Sequence, residues 1–187
     1  MARYAALLRA VNVGGVLVPM ASLRAVAETA GYRDVTTFLQ SGNLLFSAPA
    51  QRTASIERKL ELATAAALGV TTDYLVRTAS EWRSAIGENP YADEARDSPA
   101  YLHVVFLKGE PAPNAEPRLR EAIRERERAR VIGRHAYVVY PDGAGRSKLT
   151  LRVIERAVGQ RGTARNWNTV TKIGARLPGS NHAGEGG

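Results

Sequence analysis

Asp34-Val35-Thr36-Thr37-Phe38-Leu39-Gln40-Ser41-Gly42-Asn43-Leu44-Leu45-Phe46-Ser47 is the stretch that decides the fold. Residues 34–40 and 43–47 are two strand-forming runs, and Ser41-Gly42 leaves room only for a tight turn, so they read as a β-hairpin. Outward on each side comes a helix and then a strand. Upstream, residues 20–30 place Met20, Leu23, Val26, Ala27 and Ala30 at helical spacing, with Pro19 ahead and Gly31 behind. Ahead of that helix, residues 4–11 form an apolar strand. Downstream, residues 55–68 give a second helix with Ile56, Leu60, Ala63 and Ala67 as its expected buried stripe and Gly69 past its end. A strand over 71–77 follows. The order β-α-β-β-α-β is the split βαβ arrangement of a ferredoxin-like fold.

The order then begins again. Residues 80–86 read as a short helix and 87–99 as a polar linker broken at Asn89-Pro90 and Ser98-Pro99. Residues 101–108 form a strand, 117–128 a highly charged helix, and 129–133 with 136–140 a hairpin. Residues 148–158 form a helix capped by Ser147. The last strand of the repeat is missing from this reading. Residues 162–173 take a helical pattern instead, a poor one by propensity because of its asparagines and threonines. The expected class is therefore α+β, two ferredoxin-like subdomains with antiparallel sheets, the second modified at its C-terminal end. The layout is 1–78 for the first subdomain, 79–99 for the short helix and linker, 100–177 for the second subdomain, and 178–187 for a disordered tail. The repeat lies in element order, without residue-level self-similarity.

Composition narrows the function classes. A chain of 187 residues with 44% hydrophobic content and a mean hydropathy of -0.24 has the profile of a soluble globular protein. Its apolar runs fall short of the roughly 20 residues that a membrane span needs. The start, Met1-Ala2-Arg3-Tyr4, has no signal-peptide pattern, so a cytoplasmic location is expected. Without cysteine there is neither a disulfide nor a thiol nucleophile, and His103, His135 and His182 are too scattered for a metal cluster; no metal is expected. Residues 1–95 carry nine Lys/Arg and nine Asp/Glu, while residues 96–187 carry seventeen and nine. The whole excess of +8 thus sits in the second half, which suits an anionic partner such as a phosphate-bearing ligand or nucleic acid. Of the 26 basic residues 22 are arginine, a skew that compositional drift toward arginine codons also produces.

Three stretches carry a resemblance: residues 6–15 (Ala-Leu-Leu-Arg-Ala-Val-Asn-Val-Gly-Gly), residues 40–46 (Gln-Ser-Gly-Asn-Leu-Leu-Phe) and residues 162–170 (Gly-Thr-Ala-Arg-Asn-Trp-Asn-Thr-Val). Together and in this order they resemble the bacterial family known as domain of unknown function 1697 (DUF1697), over roughly residues 3–177. The resemblance implies two ferredoxin-like subdomains and no established activity. Where that family usually has a basic residue after the glycine pair, this chain has Val16-Leu17-Val18.

The candidate binding residues follow from places where local rules are broken. Arg9 interrupts an apolar strand central to its sheet and needs an acceptor, either a salt-bridge partner or a ligand. Asn12, Gly14 and Gly15 make a turn whose backbone amides can face an anion. Ser41 and Asn43 flank the hairpin turn, and Arg165, Asn166 and Asn168 sit in the poor helix. These residues are expected to line one site for a small anionic, phosphorylated ligand between the two halves. Arg146, Ser147 and Lys148, in a glycine-rich loop before a helix, form a secondary anion site. The 12–15 turn lacks G-x-G-x-x-G spacing and the 142–148 loop lacks a Walker A ending, so no cofactor is expected. Two rival readings stand beside this one. The first is a nucleic-acid-binding module using the basic second half. The second is an enzyme whose reaction is undetermined, since no carboxylate pair stands beside a histidine and neither Ser41 nor Ser147 has a base.

Overall fold

The structure, a computed structural model, describes residues 1–9, 18–39 and 42–177. The chain divides into two compact units, Met1–Ser84 together with the chain from Ile173 onward, and Ala85–Lys172. In the first unit the elements run β1 (Ala2–Leu8), α1 (Met20–Thr29), β2 (Arg33–Thr37), β3 (Asn43–Ala48), α2 (Thr53–Leu68) and β4 (Tyr74–Thr78), and α3 (Ala79–Gly87) leads out of it. The second holds α4 (Ala92–Asp97), β5 (Leu102–Leu107), α5 (Ala115–Ala122), β6 (Arg128–Ile132), β7 (His135–Val139), α6 (Leu151–Val158) and β8 (Gly162–Asn166), and α7 (Trp167–Gly174) leads out. Each unit has one antiparallel four-stranded sheet, ordered β2-β3-β1-β4 and β6-β7-β5-β8.

Strand periodicity explains the packing. Tyr4, Ala6 and Leu8 of β1 share one face with Leu44, Phe46, Tyr74 and Val76, and on that face they meet Leu23 and Ala27 of α1 and Ile56 and Leu60 of α2. Small alanines at Ala6 and Ala27 let the helices lie close. In the second unit Val105, Leu107, Ala136 and Val138 take the same role beneath Leu119 of α5 and Ile154 and Val158 of α6. The opposite sheet faces are buried as well: Ala5, Leu7, Leu45 and Leu75 in the first unit, Val104, Phe106 and Tyr137 in the second.

Several expectations are corrected. The stripe of α2 does not run through Ala63 and Ala67 but through Ile56, Glu57, Leu60 and Thr64. Polar partners pull it there: Glu57 accepts the Val76 N–H at 2.8 Å, and the Thr64 and Tyr74 hydroxyls are hydrogen-bonded at 2.8 Å. The polar linker contains α4, held by Arg96 against Asp93 and Asp97 and ended before Ser98-Pro99, where proline disfavours helix in the residue ahead of it. Helix α6 begins at Leu151 rather than at 148. Its cap is Thr150, whose hydroxyl accepts the Val153 N–H at 3.4 Å, and Ser147 does not cap it. Residues 162–173 do not form one helix, and the second sheet does not lack its last strand. Residues 162–166 are β8, paired with β5 from Gly162↔Leu107 to Asn166↔His103, and only then does helix start. Thr163 belongs to that strand and Asn166 to the junction, where it caps α7, while Asn168, Thr169 and Thr171 do lie in the helix.

Candidate functional site

Register matching makes the two units comparable residue by residue. Arg77 pairs with Ala5 on β4, and Arg165 pairs with Val104 on β8, so the two arginines hold the same place in their sheets. Both are buried, and each donates Nη1 to the carbonyl of the residue before it, Val76 at 3.0 Å and Ala164 at 2.8 Å. Arg165 also donates to the Thr163 hydroxyl at 2.8 Å, and burial lowers its guanidinium from the usual value to about 10. The next residue caps the following helix in both units. Thr78 Oγ1 accepts the Glu81 N–H at 3.1 Å while Glu81 returns the bond at 2.8 Å, a capping box. Asn166 Oδ1 accepts the Thr169 N–H at 3.0 Å. A helix carboxylate holds the start of each fourth strand, Glu61 on the Tyr74 N–H at 3.0 Å and Glu155 on the Gly162 N–H at 2.8 Å.

Arg165, Asn166 and Asn168 therefore come together at the β8–α7 junction, with Arg165 buried, Asn166 spent as a cap and Asn168 exposed. In the first unit Arg9 is half-buried just past β1, where its N–H reaches the Asp73 carbonyl at 3.0 Å and its own carbonyl accepts Thr72 Oγ1 at 2.7 Å. Asn43 is buried opposite Leu7, and its Nδ2 donates to the Phe38 carbonyl at 2.7 Å, closing the hairpin. Asn12, Gly14, Gly15 and Ser41, like the 178–187 tail, lie outside the described residues.

The loop of Arg146, Ser147 and Lys148 is built differently from a phosphate cradle. Ser147 Oγ donates to Glu127 and accepts the Leu149 N–H at 2.9 Å, and Arg126 pairs with Asp142 at the loop's start. Carboxylates thus line its inner side. Lys148 instead faces outward, 3.6 Å from Glu125, and borders a groove of about 420 Å³ between α5 and α6. Arg118, Arg124 and Arg156 form the rest of its cationic wall, with Glu121 as the carboxylate. Arg118 joins the two helices by donating to the Arg156 carbonyl at 3.0 Å. Arg118, Arg124 and Arg156 make no ion pair among the described residues. Sequence reasoning missed all three. The signal was present in the charged helix and in the charge excess of the second half, but which face of α5 meets α6 is set by the burial of Ala115 and Leu119. Arg77 was missed too, although a lone arginine in an apolar strand is the pattern that singled out Arg9.

The corresponding furrow in the first unit, about 390 Å³ between α1 and α2, is apolar, lined by Ala25, Ala30, Ala63, Ala67 and Leu68 with Lys59 at its rim. Among the described residues no cluster of three or more His, Asp or Glu side chains has the geometry to hold a metal, and no helix is long and apolar enough to cross a membrane.

Fold and groove together define an α+β protein of two ferredoxin-like units whose second unit carries a cationic furrow. Residues 1–137 match the family described as protein of unknown function (DUF1697), and the chain belongs to that family. Helix α6, the second wall of the furrow, lies beyond the matched segment. The chain is similar in fold to a solved structure, the conserved bacterial protein SP0830 from Streptococcus pneumoniae, with a TM-score of 0.73 and 23% identity over 95% of this chain and 98% of that one. No curated protein matches the chain.

Proposed function

We propose that this protein binds a phosphate-bearing anion in the furrow between α5 and α6. The observation that supports this reading is the convergence of Arg118, Arg124, Lys148 and Arg156 on one hollow whose lining has Glu121 as its carboxylate. Arginine suits the task, because its planar fork of donors matches phosphate oxygens and its charge persists at any physiological pH. Lys148, read from the sequence as part of an anion site, supplies the same groove. Base stacking on the open face of a sheet, the mode of RNA-recognition domains, is not supported by a second sheet whose central strands bury Val104, Phe106 and Tyr137 on that face.

Calorimetric titration with pyrophosphate tests the proposal. Binding is expected in the wild type, and Arg124→Gln with Arg156→Gln should weaken it at least tenfold, since hydrogen bonds to charged groups are worth about 1.5–3 kcal/mol each. Undiminished pyrophosphate binding in that double variant would place the anion elsewhere.

A further inference from the structure

The cationic surface does not end at the furrow. On the other side of α6 a second hollow of about 440 Å³ is lined by Arg152, Arg156 and Arg161, with Glu155, Gly159 and Gln160. Arg156 belongs to both hollows, so it joins them into one track. Along that track stand six exposed cations, Arg118, Arg124, Lys148, Arg152, Arg156 and Arg161. Against them stand Glu121, Glu155, whose carboxylate accepts the Gly162 N–H at 2.8 Å, and Glu125, 3.6 Å from Lys148. Arg152, like Arg118, Arg124 and Arg156, has no ion pair among the described residues. Elsewhere in the unit several arginines lie against carboxylates, Arg120 and Arg130 sharing Glu116, Arg126 on Asp142 and Arg128 on Glu94. The α5–α6 face thus keeps a net positive charge.

Resting on the reading of this furrow as an anion site, we infer that the ligand is the sugar–phosphate backbone of a nucleic-acid duplex, laid across α6 and read without regard to sequence. A small phosphate compound would fill one hollow and leave Arg152 out of its reach. A repeating anion uses both. Arg152 and Arg156 are one helical turn apart, roughly 6 Å along the axis. A duplex strand carries one charge on every nucleotide, so both cations find phosphates on a backbone that passes over α6. The lining of both hollows contains no aromatic ring, and nothing there offers an unstacked base a surface. Backbone contact to a strand whose bases stay paired is what this chemistry fits, and such contacts position without specifying sequence.

Fluorescence anisotropy with labelled mixed-sequence 20-base-pair DNA, read between 50 and 200 mM salt beside the pyrophosphate titration, tests the inference. With about four phosphate contacts, affinity should fall about 10²-fold over that range, at a slope near −0.9 per contact. Arg152→Gln with Arg156→Gln should flatten the slope by about two contacts, and a scrambled duplex should bind equally. Circular dichroism confirms folding of the variant, whose changes are on exposed side chains. If pyrophosphate binds but the duplex does not, or the variant keeps the full slope, the inference fails while the anion site stands. If neither ligand binds, both fail. Tight duplex binding that is insensitive to salt would also overturn it.

Discussion

The two units share a strand order, a buried arginine at the same register position and a capped fourth strand, yet the furrows between their helix pairs have opposite character. In the first unit alanines line it; in the second, arginines and a lysine do. The interior of a ferredoxin-like sheet constrains sequence through period-two burial and strand register. The outer rim of its helices is constrained by neither, since Arg152 and Arg156 there are exposed while Leu119 and Ile154 are buried beneath. Shared architecture and divergent chemistry are therefore carried by different residues of the same helices.

The likeness of the interiors can be broken most sharply at the paired arginines. Arg77→Ala and Arg165→Ala should each cost about 2–5 kcal/mol, the range for emptying a large buried side chain, and urea unfolding measures it. Comparable losses sustain the equivalence of the two positions; a neutral Arg165→Ala beside a costly Arg77→Ala would end it. A smaller effect is expected where the sheets differ. Register places Gly162 where the first unit has Tyr74, because Leu107 and Leu8 are their partners. A Cβ on Gly162 would sit 2.9 Å from both the Phe106 carbonyl oxygen and Val105 Cγ1, so Gly162→Ala should destabilise by about 1–3 kcal/mol through overpacking. An alanine there that leaves the denaturation midpoint unmoved would show that β8 has the slack that these contacts deny it.

The smallest effect concerns pH. His103 holds the register position of Tyr4 and packs edge-on to Tyr140, with ring centroids 5.2 Å apart. Burial lowers its pKa, against a backbone hydrogen bond at Tyr101 that raises it. The unfolded chain then takes up a proton that the folded chain resists. Stability contributed here is present above the ordinary histidine value of about 6.5 and is lost as the pH falls through it. Thermal midpoints of the wild type and His103→Phe between pH 8 and 5 check this: the two profiles should diverge only on the acid side. Parallel profiles would remove His103 from the acid response.

Much of the fold was legible because hairpin and helix signals are local: Ser41-Gly42 between two apolar runs, Gly69 at a helix end, five apolar positions at helical spacing before Gly31. The last strand was not, because Gly162-Thr163-Ala164-Arg165-Asn166 carries its burial at Thr163 and Arg165, neither of which looks apolar. Helix α4 escaped notice because ion pairs over five residues sustain it, with no buried side chain. Of the candidate residues, Asn43 and Asn166 were picked out as rule-breaking polar groups, and the described geometry gives each a backbone to hold, the hairpin in one case and a helix start in the other. Lys148 was found; its partners across the furrow were not. They come from α5, the turn that follows it and α6, some thirty residues apart, and only packing decides that those faces meet.

One arrangement in the first unit has a consequence for how a chain with two like sheets avoids mispairing its strands. The outward N–H groups of the edge strand β4, at Tyr74, Val76 and Thr78, are taken by Glu61, Glu57 and Glu81 at 3.0, 2.8 and 2.8 Å. An edge with these donors occupied leaves an incoming strand no N–H to pair with at those three positions. A chain with two sheets of the same strand order holds, while it folds, a second set of strands able to add to an open edge. Glu57 and Glu61 of α2 and Glu81 of α3 close β4 from the first unit's own helices, so that its sheet stops at four strands.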